Sequence, residues 1–236
     1  YNRFLSDREK YISLMKERKW DLAGNFYWEH VFPYVEKRFL EDVNKRKKLG
    51  EIPDYDVLIL PLGIFNAYPV LLIKALKPKK VYFLCTPEDE KRVLEDIVKK
   101  SNLSPSQYEK ILVEFEELTT IRTYEEVKKV IEKHKGKRIA IDLSKGKRSI
   151  AAGAALAGEL FSCDLTHISK SWDEDVRIPG TEKLVILNKT LYVFGDLENR
   201  HATDLFNECD YDSASRVFET VLPKICLLYT SDAADE

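Results

Sequence analysis

Asp56-Val-Leu-Ile-Leu-Pro-Leu62, then Gly63-Ile-Phe-Asn66, then Ala67-Tyr-Pro-Val-Leu-Leu-Ile-Lys-Ala-Leu76 decides how this chain folds. A nearly unbroken apolar run of strand length suits a strand covered on both faces, as in a parallel sheet. Gly63 and Asn66 after it, with Pro69 in the first turn of the next apolar segment, mark a turn into a helix. The same alternation repeats downstream. Lys80–Cys85, Ile111–Phe115, Arg138–Leu143 and Asp164–Ile168 read as strands, and Glu88–Lys100, Tyr124–His134 and Arg148–Phe161 as helices. Strands separated by helical segments predict an α/β fold with a mainly parallel, doubly wound sheet.

Upstream, Ser6–Leu49 carries apolar residues at helical spacing and stops at Lys45-Arg-Lys-Lys-Leu-Gly50, basic residues followed by the glycine that ends helices. Downstream, Leu184–Leu187 and Leu191–Phe194 flank Asn188-Lys-Thr190 and predict a hairpin or an extension of the sheet edge. Helices are expected around Ala202–Asn207 and Tyr211–Leu222. The expected organisation is an N-terminal helical segment at 1–50, the α/β domain at 54–196, and a helical linker or the start of a truncated effector domain at 200–224. A non-native tail is expected at 225–236: Cys226-Leu-Leu-Tyr-Thr-Ser-Asp-Ala-Ala-Asp-Glu236 has no relation to the amphipathic pattern before it and resembles a translated sequencing adapter. A start at Tyr1 rather than Met likewise reads as part of a longer protein.

With 38 basic and 40 acidic residues in 236, the net charge is −2, so direct binding of long nucleic acid is not expected and any anion must be held locally. Cys85, Cys163, Cys209 and Cys226 lack the paired spacing of a zinc site or a disulfide framework, which points to a reducing cytoplasm. No apolar run approaches the roughly 20 residues that span a bilayer, so no membrane partner is expected. Neither GxGxxG nor GxxxxGK[ST] occurs, which disfavours a dinucleotide cofactor and a Walker-type NTPase. No metal and no cofactor are expected.

Ligands of open α/β sheets sit beyond the carboxyl ends of the strands, against helix N-termini. Two loops meet that condition. One is Gly63-Ile-Phe-Asn-Ala-Tyr-Pro69. The other is Asp142-Leu-Ser-Lys-Gly-Lys-Arg-Ser149, where a hydroxyl, a glycine and three cations precede a helix and compose a compact anion cradle. As a rival reading, each loop is an ordinary capped or solvated turn. The helix after the second loop, Ala151-Ala-Gly-Ala-Ala-Leu-Ala-Gly158, has side chains small enough to let another backbone approach, either the sheet or a second copy.

Leu58-Ile-Leu-Pro-Leu-Gly63 with Tyr68-Pro-Val70, Leu76-Lys-Pro-Lys-Lys-Val-Tyr-Phe83, and Ile141 through Gly158 resemble CARF domains, the CRISPR-associated Rossmann folds of type III systems. Arg177-Ile-Pro-Gly-Thr-Glu182 and Tyr192-Val-Phe-Gly-Asp196 look like one subgroup of their ancillary proteins. The resemblance implies a Rossmann-like fold and a cytoplasmic homodimer that binds cyclic oligoadenylate, cyclic tetra-adenylate by preference, in a shared cleft. The bound messenger would regulate an attached or partner effector in antiviral defence. By position, Gly63, Asn66, Ser144, Gly146, Lys147 and Arg148 would line that cleft. Lys145 stands where the family commonly has glycine. Phe65, Tyr68 and Trp172 are candidates to meet the adenines.

Two alternatives stay open. The domain could cleave its own ligand by aligning a ribose hydroxyl with a phosphate, with Ser144, Lys145 and Lys147 as its catalytic residues. It could instead be an unrelated Rossmann-like nucleotide-binding regulator. None of His30, His134, His167 and His201 has an arginine at the spacing of a HEPN-type ribonuclease motif.

Overall fold

The computed structural model of the chain describes residues 2–63, 66–114, 117–187 and 191–220. Phe65, Phe115, the 188–190 turn and the 225–236 tail lie outside the described residues.

The helical N-terminal segment forms α1 (Asn2–Lys16), α2 (Trp20–Phe26) and α3 (Phe32–Lys48), with a wide turn at Tyr27–Val31 between the last two. Arg18 ends α1 in the left-handed region at φ +59°. The Lys19 amide donates to the Leu14 carbonyl and Arg18 to Met15, a Schellman-type stop. The alternation then follows as β1 (Val57–Pro61), α4 (Ala67–Leu76), β2 (Lys80–Cys85), a helical run containing α5 (Pro87–Asp89) and α6 (Glu95–Ser101), β3 (Tyr108–Leu112), α7 (Thr119–Lys133), β4 (Ile139–Asp142), α8 (Arg148–Leu160) and β5 (Asp164–Ser169). A short hairpin, β6 (Trp172–Asp173) and β7 (Val176–Arg177), precedes β8 (Lys183–Ile186).

The six-stranded sheet runs β3-β2-β1-β4-β5-β8. Its first five strands are parallel and β8 is antiparallel to β5. This is the Rossmann-like α/β architecture. Because side chains alternate across a strand, β1 feeds two cores. Leu58 and Leu60 join α3, α4 and α6 on one face, and Val57 and Ile59 join α7 and α8 on the other. Phe4, Tyr11, Tyr27, Val31, Val35 and Phe39 extend the first core, so the N-terminal helices pack on the same face as α4.

The structure resolves three readings. β3 pairs with β2 alone and starts at Tyr108 rather than Ile111; as an edge strand it exposes polar positions, so its apolar end misled the reading. Leu184–Leu187 takes the edge-extension reading and not the hairpin: β8 joins the sheet edge antiparallel to β5, and Leu191 opens the long helix α9 (Leu191–Asn207). Gly153 and Gly158 serve contacts within the chain. A Cβ on Gly153 would lie 2.3 Å from the Thr120 carbonyl oxygen of α7, and one on Gly158 would lie 2.5 Å from a Leu165 methyl.

The chain divides into two compact units at Leu187–Asn188. In the second, α9 is followed by a helical stretch at 211–220. The two helices meet through Phe206 and Tyr211, rings 5.1 Å apart and edge-on. Among the described residues no helix is long and apolar enough to cross a membrane.

Candidate ligand cleft at the strand switch

The chain runs outward from β1 to β3 and returns at β4 beside β1, so the switch point lies between β1 and β4, where such sheets bind ligands. The loops after these two strands touch. A Cβ on Gly63 would come within 3.2 Å of the Gly146 amide nitrogen, and one on Gly146 within 2.6 Å of Pro61 Cβ. Gly146 also sits at φ +95°, a conformation L side chains rarely adopt. Two glycines at this crossing are therefore a packing requirement.

Asp142 ends β4 buried. Its carboxylate accepts the Ser144 amide at 3.0 Å, the Ser144 hydroxyl at 2.8 Å and the Thr166 hydroxyl at 3.3 Å. Burial still pushes its pKa up to about 6, against the pull of those donors and of Lys145. Ser144 Oγ also accepts the Ile168 amide at 2.6 Å. The hydroxyl thus ties the loop to β4 and β5.

Tyr68, in the first turn of α4 and buried, is a platform for three cations. Lys145 Nζ lies 5.0 Å, Lys170 Nζ 5.2 Å and Arg177 Cζ 5.7 Å from its ring centroid, within cation–π range. Burial raises the Tyr68 phenol to about 12, with Arg177 opposing. Crowding has a measurable consequence for Lys145: desolvation, then repulsion from Arg177 and Lys170, lowers its pKa to about 7. The loop after Arg177 is itself held in place. Glu182 accepts the Gly180 amide at 2.7 Å, and Gly180, at φ +85°, has room only for hydrogen where Phe4 of α1 packs 2.7 Å from a would-be Cβ. Lys16 of α1 also pairs with Asp173 at 3.0 Å and Glu174 at 3.3 Å, fixing α1 to the β6–β7 hairpin.

These elements enclose a cleft of about 520 Å³, a size typical of ligand sites. The sheet's loops and hairpin contribute Gly63, Asn66, Lys145, Gly146 and Arg177 to its lining, and the N-terminal helices contribute Tyr11, Met15, Trp20, Gly24, Tyr27 and Trp28. Of the residues singled out from sequence, Gly63, Asn66, Lys145 and Gly146 line the cleft, and Tyr68 lies beside it under Lys145. Asn66 does not cap α4 with its side chain; its amide donates to Asp96. Lys147 and Arg148 open α8 and are not lining residues, and Trp172 stands exposed on β6 with Lys170 Nζ 5.2 Å from its ring. Lys170, Arg177 and the whole contribution of the N-terminal helices were missed. Arg177 did stand in a recognisable motif, and Trp20 and Trp28 were visible only as helix-spaced aromatics.

No protein-family model matches the chain. It is 29% identical over 175 residues to the CRISPR system endoribonuclease Csm6 of Thermus thermophilus, covering 70% of this chain and 36% of the relative. The chain thus spans about a third of the length of that relative. Enterococcus italicus Csm6, solved bound to cyclic hexa-2'-fluoro-hexa-dAMP, superposes with a TM-score of 0.52 at 10% identity, over 71% of this chain and 49% of that one.

Proposed function

We propose that the chain is a CARF-domain protein of the type III CRISPR kind and that its cleft binds a cyclic oligoadenylate, so that this region acts as the sensor for an attached or partner effector. The observation that carries the reading is the convergence of the loops after β1 and β4 with three cations gathered on Tyr68. Like charges held together in a half-buried site repel one another, and a phosphate relieves that repulsion. The ligand bound by the Enterococcus protein and the identity to the Thermus protein support the same chemistry.

Two copies of the chain share one ring. A ring with an even number of phosphates is compatible with a two-fold axis, so each copy engages one half of it. Cyclic tetra-adenylate is the proposed messenger, with cyclic hexa-adenylate its natural competitor. Lys145, Lys170 and Arg177 hold phosphates, and Gly63 and Gly146 let the ligand approach the backbone.

Calorimetric titration with cyclic tri-, tetra- and hexa-adenylate, followed by chromatography of the ligand, tests the proposal. Tight binding of an even-membered ring, recovered intact and weakened about 10-fold or more in Lys145→Met or Arg177→Met, is expected, since hydrogen bonds between charged groups are worth about 1.5–3 kcal/mol. No binding of any ring sinks the proposal. Linear products would replace the pure sensor with a ligand-cleaving enzyme.

A further inference from the structure

Resting on the reading above, we infer that the Trp20–Gly24 face of α2 is a base-binding subsite, on which an adenine of the ligand stacks while its phosphate meets Lys145 and Arg177 in the same cleft.

Three observations converge on this face. Trp20 and Gly24 are four residues apart on one helix, hence neighbours on its surface, and both line the same cleft as Lys145 and Arg177. Trp20 is 57% exposed, so its indole face is open to a planar ring. The neighbouring Trp28 differs: Lys100 Nζ sits 4.2 Å from its ring centroid and Phe32 packs at 4.4 Å, so its faces are already used.

Gly24 supplies the second, independent clue. After proline, glycine is the poorest helix former, and a glycine inside a helix normally answers to a close neighbour, as Gly153 does against Thr120. Around Gly24 nothing lies within 4 Å of the place a Cβ would take. Among the described residues no contact requires the glycine, yet a bare patch of helix beside an exposed indole leaves flat space for a planar ring. The cleft's lining then divides the work. The cationic side takes charge, and the α2 side takes the base, where stacking tolerates any purine or pyrimidine but gains from the extended adenine surface.

The test uses the whole chain and cyclic oligoadenylate rings. Trp20→Ala should weaken binding about 10- to 100-fold, the usual loss for one stacked base, and Trp20→Phe should recover most of it. The salt dependence of binding should stay unchanged in Trp20→Ala and flatten in Lys145→Met, because only the latter removes a phosphate contact. Gly24→Leu should melt no lower than the parent, leucine being the better helix former, while losing affinity about 10-fold or more. Trp20→Ala and Gly24→Leu binding as tightly as the parent would overturn the subsite and leave the sensor reading intact. A parent that binds no ring overturns the sensor reading itself.

Discussion

At the scale of single residues, the cleft turns on Lys145. Its ammonium is held among Arg177 and Lys170, with Tyr68 beneath and Asp142 as the countering carboxylate, and its pKa falls to about 7. An unfolded lysine keeps its proton to about 10.5. Between about 7 and 10.5 the unfolded chain therefore holds more protons than the folded one, and this residue's contribution to stability rises with pH across that window. A bound phosphate has the opposite preference and favours the protonated amine. The expected outcome is proton uptake on ligand binding at pH 8, read as a dependence of the calorimetric heat on buffer ionisation enthalpy, and absent in Lys145→Arg, whose charge persists at any pH. Equal uptake by parent and Lys145→Arg would contradict the account. Lys145, Gly63 and Gly146 were legible in sequence because a loop after a parallel strand, glycine and cations together, has few other uses. Lys170 and Arg177 were not. Lys170 precedes a two-stranded hairpin and Arg177 ends it, and no local pattern says that this hairpin folds back over Tyr68.

At the scale of elements, sequence and structure agree best where burial is complete. The bounds of α4 and β2 coincide with the expected ones, since both are apolar almost throughout. Agreement loosens at the sheet margins, where β3 is partly polar and β8 extends the edge on β5, a choice between edge and hairpin that alternation alone leaves open. Two helix glycines sharpen the contrast between packing and ligand roles. Gly153 lets α8 approach the backbone of α7, so Gly153→Ala forces a contact of 2.3 Å with a carbonyl oxygen. Overpacking of that kind costs about 1–3 kcal/mol, only partly offset by about 1 kcal/mol of better helix propensity. Thermal melts should show Gly153→Ala lowered by several degrees, whereas Gly24→Ala, with open space around it, should be raised. A stabilised Gly153→Ala would mean that α7 and α8 are not seated on each other as described.

At the scale of the molecule, the proposed ring-shaped ligand would meet the cleft of one chain on one side only. Each loop set offers one cationic cluster, and a ring of even membership presents equivalent phosphates on opposite sides. Closure by a second copy requires a surface near the loops that can bury apolar area. The outer row of α8 beyond Arg148 is such a surface: Ala152, Leu156 and Leu160 follow one another at four-residue spacing, all exposed, with Leu156 at 51% and Leu160 at 43%. The helix begins at the second cleft loop, so two α8 helices packed about a two-fold axis set two such loops near that axis. Isologous contacts place each residue of this row against the partner's row, which makes a charge there costly twice over. Leu156→Glu should therefore convert a dimer into a monomer by sedimentation while leaving the melting temperature of the fold nearly unchanged, because Leu156 supports neither core. Ligand affinity should fall with it, and the parent's stoichiometry should be one ring per two chains. A monomeric Leu156→Glu that still binds one ring per chain at the parent's affinity would show that a single cleft suffices and that the second copy plays no part in holding the ligand.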